Sequence, residues 1–126
     1  MKIRFLPCLL LAAWNFAQAA DCTYPRAPAN LPDGRTATQE EMVTGMKVVK
    51  DYNALVTSYL ACLDEKMNTD LANAGPEASS DVVAQIKAIN AKRHNAAIEE
   101  LEAHAARFNE QVRTFKTKSK EKADKS

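Results

Sequence analysis

Residues 42–67, MVTGMKVVKDYNALVTSYLACLDEKM, place apolar side chains at the spacing of one long amphipathic helix. Four apolar residues recur every seven positions: Met42, Val49, Val56 and Leu63. One adjacent row consists of Met46, Leu60 and Met67, and a second flanking row consists of Val48, Leu55 and Cys62. Because seven residues make about two helical turns, the pattern predicts a helix that is buried on more than one side.

Both ends of this first helix carry sequence signals. Thr38 precedes the apolar pattern and Glu41 follows three residues later, which is the pattern of an N-terminal capping box. Residues 73–76, Asn-Ala-Gly-Pro, stop a helix, because glycine and proline are both poor helix formers. We therefore place the first helix at about residues 38–70.

A second helix is predicted from Ser79 or Ser80 to about residue 116, a stretch without glycine or proline. Its seven-residue repeat is Leu101, Phe108 and Phe115, beside Ile98, Ala105 and Val112. A short connection makes the two helices antiparallel neighbours, in which facing residue numbers sum to about 150. The predicted pairs are Leu63 with Ile86, Val49 with Leu101, and Met42 with Phe108. The predicted fold class is all-α, an antiparallel two-helix hairpin.

The start of the 126-residue chain has the features of a secretory signal peptide. Lys2 and Arg4 precede an apolar run, and alanines at positions 17 and 19 suit cleavage by a signal peptidase. The run is shorter than the roughly 20 residues that cross a membrane as a helix. We expect removal of residues 1–19 and a periplasmic or secreted mature protein. Lipidation of Cys22 is the alternative, but the preceding Asp21 opposes it.

Two cysteines remain after the predicted leader, Cys22 and Cys62. In an oxidising compartment an even number of cysteines predicts a disulfide, and no histidine lies near either cysteine to suggest a metal site. Sixteen residues separate Cys22 from Thr38, which reach about 50 Å in extended polyproline form. The disulfide therefore requires a strap that runs back along the first helix.

This strap, residues 20–37, contains Pro25, Pro28 and Pro32, which suit an extended chain because proline lacks an N–H donor. We predict that it covers the row of Val48, Leu55 and Cys62, and that Tyr24 packs near Tyr59. The predicted organisation is a leader (1–19), a strap (20–37), a hairpin (38–116, with helices at about 38–70 and 79–116) and a basic tail (117–126).

The two histidines belong to no metal-binding motif. We interpret His94 as a half-buried residue that bonds a Tyr hydroxyl or an Asn amide, with a ligand or pH-sensing role as the alternative. His104 follows Glu100 by four residues, and we interpret this pair as a surface ion pair. Metal binding by His94, Glu100 and His104 is the alternative. We expect no metal and no cofactor, since a Cys-x-x-Cys-His haem motif is also absent.

Motifs of catalysis are absent from the sequence. It contains no Gly-x-Ser-x-Gly, His-Glu-x-x-His, phosphate-binding loop, Gly-rich dinucleotide turn or Cys-x-x-Cys. We therefore expect no catalytic residues and no enzymatic activity.

Charge is divided unevenly along a chain whose net charge is +1. Residues 21–112 contain 14 acidic and 9 basic residues, whereas residues 113–126 contain 2 acidic and 6 basic residues. We interpret the basic tail as a solvated helix end, with contact to an anionic surface as the alternative. No aromatic residue follows Phe115, so we expect no nucleic-acid partner.

Three segments resemble small exported helical proteins of proteobacteria: residues 22–42, CTYPRAPANLPDGRTATQEEM, residues 59–66, YLACLDEK, and residues 92–116, KRHNAAIEELEAHAARFNEQVRTFK. The resemblance implies export and a shared helical fold, and it implies no activity or site. A looser likeness connects the chain with small helical periplasmic chaperones, whose Leu-Thr-x-x-Gln motifs it lacks.

The apolar faces and the missing catalytic motifs together predict a periplasmic structural or protein-interaction protein. Because a hairpin with one strap leaves apolar surface uncovered, we expect a homodimer that forms a four-helix bundle, or an envelope protein partner. The alternatives are a metal or small-ligand binder and a chaperone-like client binder.

Overall fold

A computed structural model describes residues 21–126, and the predicted signal peptide lies outside the described residues. The described residues form two helices, α1 (Gln39–Ala74) and α2 (Ser80–Asp124), without a strand. The helices pack against each other along their length, which confirms the all-α hairpin. Within residues 21–126, neither helix is long and apolar enough to cross a membrane.

Both ends of α1 are capped, the first where the strap enters the helix and the second at the connection to α2. The Thr38 hydroxyl accepts a hydrogen bond from the Glu41 N–H at 3.2 Å, and the Glu41 carboxylate accepts one from the Thr38 N–H at 2.7 Å. This is the predicted capping box, and it lowers the pKa of Glu41 through the two Thr38 hydrogen bonds. α1 ends before Gly75, whose φ of 77° is left-handed and terminates the helix.

Both helices are longer than predicted. α1 continues to Ala74 instead of residue 70, because only the glycine and proline that follow interrupt it. α2 continues to Asp124 instead of residue 116, since Lys, Glu and Ala in this stretch are strong helix formers. The predicted basic tail is therefore the last part of α2, and its residues from 116 onward are exposed.

The predicted register between the helices is correct at two of its three pairs. Met42 and Phe108 belong to one buried cluster, and Leu63 and Ile86 line one groove. The third pair is divided between two clusters. Val49 packs beside Met42 and Phe108, whereas Leu101 packs beside Tyr52 and Val56.

The strap is fastened to α1 by the predicted disulfide between Cys22 and Cys62. Beside it, the rings of Tyr24 and Tyr59 meet edge to face with their centroids 5.1 Å apart, as predicted. Further along, Leu31 packs against the cluster that contains Phe108. The strap therefore runs back along α1 and parallel to α2.

The strap lies in the groove between the helices, so its predicted position over the row of Val48, Leu55 and Cys62 was wrong for Leu55. This side chain is 57% exposed. The groove offers apolar contacts from both helices at once, including Tyr59 of α1 and Phe108 of α2. A strap in the groove therefore removes more apolar surface from water than a strap on one flank.

Two glycines allow the strap and the helices to approach closely. A Cβ on Gly45 would lie 2.7 Å from Cγ of Pro32 and 2.9 Å from Cε2 of Phe108. A Cβ on Gly34 would lie only 2.1 Å from the backbone oxygen of Gln111. The Gly34 N–H also donates a hydrogen bond to Oε1 of Gln111 at 3.0 Å, so the strap ends in backbone contact with α2.

Replacing Gly34 by alanine is expected to destabilise the protein by about 3 kcal/mol, because a backbone-to-backbone contact cannot relax as a side chain can. Gly75→Ala is the control. Its Cβ meets no atom within 4 Å, so its cost is backbone strain alone, at about 1 to 3 kcal/mol for φ 77° and ψ 176°. Urea unfolding followed by far-UV circular dichroism measures both, and a loss below about 1 kcal/mol for Gly34→Ala would contradict the close approach there.

Removing the disulfide is expected to cost about 4 kcal/mol of stability, since the bond closes a loop of about 40 residues in the unfolded chain. The measurement compares urea unfolding of the oxidised protein with that of the Cys22→Ser/Cys62→Ser variant. The wild-type protein in reducing agent is the control, and it should match the variant. A loss below about 1 kcal/mol would contradict this loop-entropy argument.

Candidate functional site

His94 contacts a carboxylate instead of the predicted Tyr hydroxyl or Asn amide. Its Nε2 atom lies 2.9 Å from Oδ1 of Asp64 on the opposite helix, an ion-pair distance whose direction does not satisfy a hydrogen bond. The Nδ2 atom of Asn90 donates to the same oxygen at 3.3 Å. The helix register places Asp64 opposite His94, and this small polar cluster joins α1 to α2.

His104 is completely buried, so its predicted surface ion pair with Glu100 is wrong. The Glu100 carboxylate instead accepts a hydrogen bond from the Tyr24 hydroxyl of the strap. That hydrogen bond, together with burial, raises the pKa of Tyr24. Glu100 therefore holds the strap to α2, and His104 lies beneath the strap without this carboxylate as a partner.

The sequence contained a signal for the burial of His104. It lies three residues after Leu101 and four before Phe108, which is the spacing of a second core position in a heptad repeat. The apolar side chains of Ile98, Ala105 and Val112 favour that row as the neighbour of this repeat instead. In the structure Ile98 is 37% exposed, whereas His104 and Phe108 are buried.

Tyr52 of α1 is the neighbour of His104 across the hairpin. Their ring centroids are 5.2 Å apart and the rings are inclined by 78°, an edge-to-face contact. Tyr52 is 1% exposed and His104 is 0% exposed. Among residues 21–126, no atom forms a hydrogen bond with the Tyr52 hydroxyl or with either ring nitrogen of His104. Three polar atoms are thus buried at one level of the hairpin without a protein partner.

Burial controls the charge of this pair. It lowers the pKa of His104, with a smaller contribution from the nearby Arg107 guanidinium, while Glu100 acts in the opposite direction. Burial also raises the pKa of Tyr52. Both rings are therefore held in their neutral forms near neutral pH, because an unpaired charge in this position would be costly.

An open groove separates this level of α2 from the strap. Its apolar wall comes from Pro28, Ala29 and Leu31 of the strap, and its other wall comes from α2. The α2 wall consists of His104, Arg107, Glu110 and Gln111. The groove therefore borders His104 at a level where the strap covers this side chain.

The three candidate metal ligands are not brought together. His94 lies beside Asp64, Glu100 bonds Tyr24, and His104 packs on Tyr52. Among residues 21–126, no group of three or more His, Cys, Asp or Glu side chains has a geometry that could hold a metal ion. The chemistry that these residues offer is proton binding at His104, coupled to its burial.

Comparisons with protein-family models, with curated proteins and with solved structures found no match. The resemblance to small exported proteins therefore stays a prediction, and a function has to be argued from the geometry.

Stability is expected to fall as the pH is lowered through the ordinary pKa of histidine. Because the folded protein lowers the pKa of His104 from 6.5, the unfolded chain binds this proton more readily, and acidification favours unfolding. The free energy of unfolding should decrease below about pH 6.5 by at most about 1.4 kcal/mol per pH unit. Urea unfolding between about pH 7.5 and 5.5 measures this slope.

The matched variants for this measurement are His104→Leu and His94→Gln. His104→Leu should lose the contribution to the slope, because leucine fills a similar volume and binds no proton. His94→Gln should keep it, since His104 is intact. If both variants retained the wild-type slope, proton binding at His104 would not be its source.

Proposed function

We propose that this chain is a non-enzymatic protein-interaction protein of the periplasm or cell exterior that pairs with a second copy of itself. The proposal rests on one observation, an apolar face of the hairpin that the strap leaves uncovered. The leader pattern and the disulfide support export, because disulfides persist in oxidising compartments.

All contacts of the strap described above lie on one side of the hairpin. On α1 the strap meets Gly45 and Tyr59, and on α2 it meets Gln111. These positions are flanked by Cys62 and Glu100, which also bind the strap. The residues on the other side of each apolar repeat are therefore not reached by it.

We call this other side the open face. It consists of Met46, Leu60 and Met67 of α1 and of Ile98, Ala105 and Val112 of α2. Each row lies next to its helix's seven-residue core repeat and away from the strap, so the two rows adjoin across the antiparallel hairpin. Met46 remains 45% exposed and Ile98 37% exposed. Two large apolar side chains at this face are thus left in contact with water.

The size of the open face fits a stable dimer. From Met46 to Met67 it extends about 32 Å along α1, and two helices give it a width of about 20 Å. The projected area of about 640 Å² is of the same order as the roughly 800 Å² per partner that stable interfaces bury. Two hairpins joined through this face form a four-helix bundle.

Charges beside the open face are compatible with its pairing with itself. Lys50 and Asp64 follow Met46 and Leu60 by four residues, so they border the face. They lie seven residues on either side of Thr57. If two α1 helices cross antiparallel near Thr57, Lys50 of one copy lies opposite Asp64 of the other, as a two-fold interface requires.

Light scattering on the oxidised protein should give a dimer at micromolar concentrations. Met46→Lys and Ile98→Lys should each raise the dissociation constant at least about tenfold, because each places a charge in the interface. Leu55→Lys is the control, since Leu55 is 57% exposed but lies on the flank outside the open face. It should leave the dimer intact.

Three outcomes contradict self-pairing. The first is a monomeric wild-type protein at micromolar concentrations. The second is an equal effect of Leu55→Lys and Ile98→Lys, which would indicate a loss of solubility unrelated to the face. The third is crosslinking in exported material that joins the open face only to a different envelope protein.

A further inference from the structure

The strap is fastened near both of its ends, where the Tyr24 hydroxyl also bonds Glu100, and its middle segment forms no hydrogen bond with the described helices. The Cys22–Cys62 disulfide holds one end. The Gly34 N–H bond to Gln111 holds the other, beside a turn in which Thr36 and Ala37 donate to the Asp33 carbonyl. No hydrogen bond joins residues 25–32 to the described helices, and three of these eight residues are prolines. Apolar packing alone keeps the middle of the strap in place.

Beneath this middle segment lies the buried pair of Tyr52 and His104. Ala27 packs against the cluster that contains Tyr52, and Leu31 packs against the cluster that contains Phe108. An imidazole without a hydrogen-bond partner is destabilising where it is buried, and it gains water contacts as soon as its cover moves away. Packing of the strap and solvation of His104 therefore oppose each other.

The groups around His104 do not stabilise a positive charge there. Tyr52 on α1 contributes a neutral ring, and Arg107 on α2 adds a like charge. Glu100 on α2 is the one carboxylate that acts on His104 favourably, and it is engaged by Tyr24 of the strap. The middle segment, residues 25–32, carries one charged side chain, the like-charged Arg26, while Glu110 of α2 lines the groove beside His104. A protonated His104 therefore has to be solvated by water.

We propose that residues 25–32 form a tethered cover that leaves the helices when His104 binds a proton and returns when the proton is lost. The disulfide and the Gly34 contact keep both ends attached, so only the middle segment moves. Lifting it exposes His104, Tyr52 and the apolar cluster around Phe108, on the side opposite to the open face. This inference is independent of dimer formation, because the two sides of the hairpin share no exposed surface.

Proton NMR of the full oxidised protein tests the cover directly. In one pH titration, the imidazole Hε1 signal of His104 reports proton binding, and the methyl signals of Leu31 report the position of the strap. We expect the Leu31 methyl shifts to move toward random-coil values with the same midpoint as His104. The Overhauser contact between Leu31 and Phe108 should disappear over the same pH range, while far-UV circular dichroism keeps its helical signal.

Two variants separate His104 from the nearby carboxylate. In His104→Leu, the Leu31 signals should stay constant down to about pH 5, below the ordinary pKa of histidine. In Glu100→Gln, whose amide oxygen still accepts from Tyr24, the transition should remain but with its midpoint at lower pH, since the carboxylate that raises the pKa of His104 is gone. Reduction of the disulfide should move the midpoint to higher pH, since it removes the covalent attachment at one end of the cover.

The proposal is overturned if the Leu31 signals do not change while His104 titrates in the wild-type protein. It is also overturned if His104→Leu shows the wild-type transition, or if Glu100→Gln abolishes it. Because the first criterion uses only the wild-type protein, it holds even where a variant fails to fold. A simultaneous loss of the helical signal would indicate global unfolding and would likewise contradict a local cover.

Discussion

The disulfide between Cys22 and Cys62 is the constraint on which the rest of the structure depends. A two-helix hairpin has one packing seam, and either side of that seam is open to water. The bond joins the start of the described chain to a point two-thirds of the way along α1, which forces the intervening strap to return along the hairpin. One side of the seam is thereby closed. The contacts of the strap with Tyr59, with the Phe108 cluster and, through Gly34, with α2 all follow from that closure.

Closure of one side makes the hairpin asymmetric, although its two helices have similar apolar repeats. The strap side combines buried apolar groups with polar atoms that have no protein partner, at Tyr52 and His104. The open face has apolar side chains such as Met46 and Ile98 at its surface. The covered side carries the groups on which the proposed conformational response rests, and the uncovered side carries those on which the proposed association rests. A second strap over the open face would prevent the proposed association. Without any strap, Tyr52 and His104 would have no cover that could move.

Seven-residue periodicity and capping chemistry were sufficient to predict the fold. The repeats that begin at Met42 and Leu101, and the Thr38–Glu41 cap, are local patterns whose structural meaning does not depend on distant residues. The disulfide was predictable because only two cysteines follow the predicted leader. The end of α2 was placed too early, because charge was given more weight than the helix propensity of lysine.

The candidate site was harder to predict, since its features arise from tertiary contacts. Whether His104 is exposed depends on where the strap lies. The length of the strap fixes its direction along α1 but not its lateral position. The preference for the groove comes from contacts with both helices together. Likewise, the partner of His94 depends on the register at Asp64, which a shift of less than one turn changes.

The cysteine content has a consequence for how the protein matures. With Cys22 and Cys62 as the two cysteines outside the predicted leader, the chain has a single intramolecular pairing. Oxidative folding then requires an oxidant but no reshuffling of wrong bonds. The bond can also form before α1 does, because a flexible loop of about 40 residues closes readily in an unfolded chain. Oxidation at that stage restricts the chain to conformations in which the strap and the α1 segment are already neighbours.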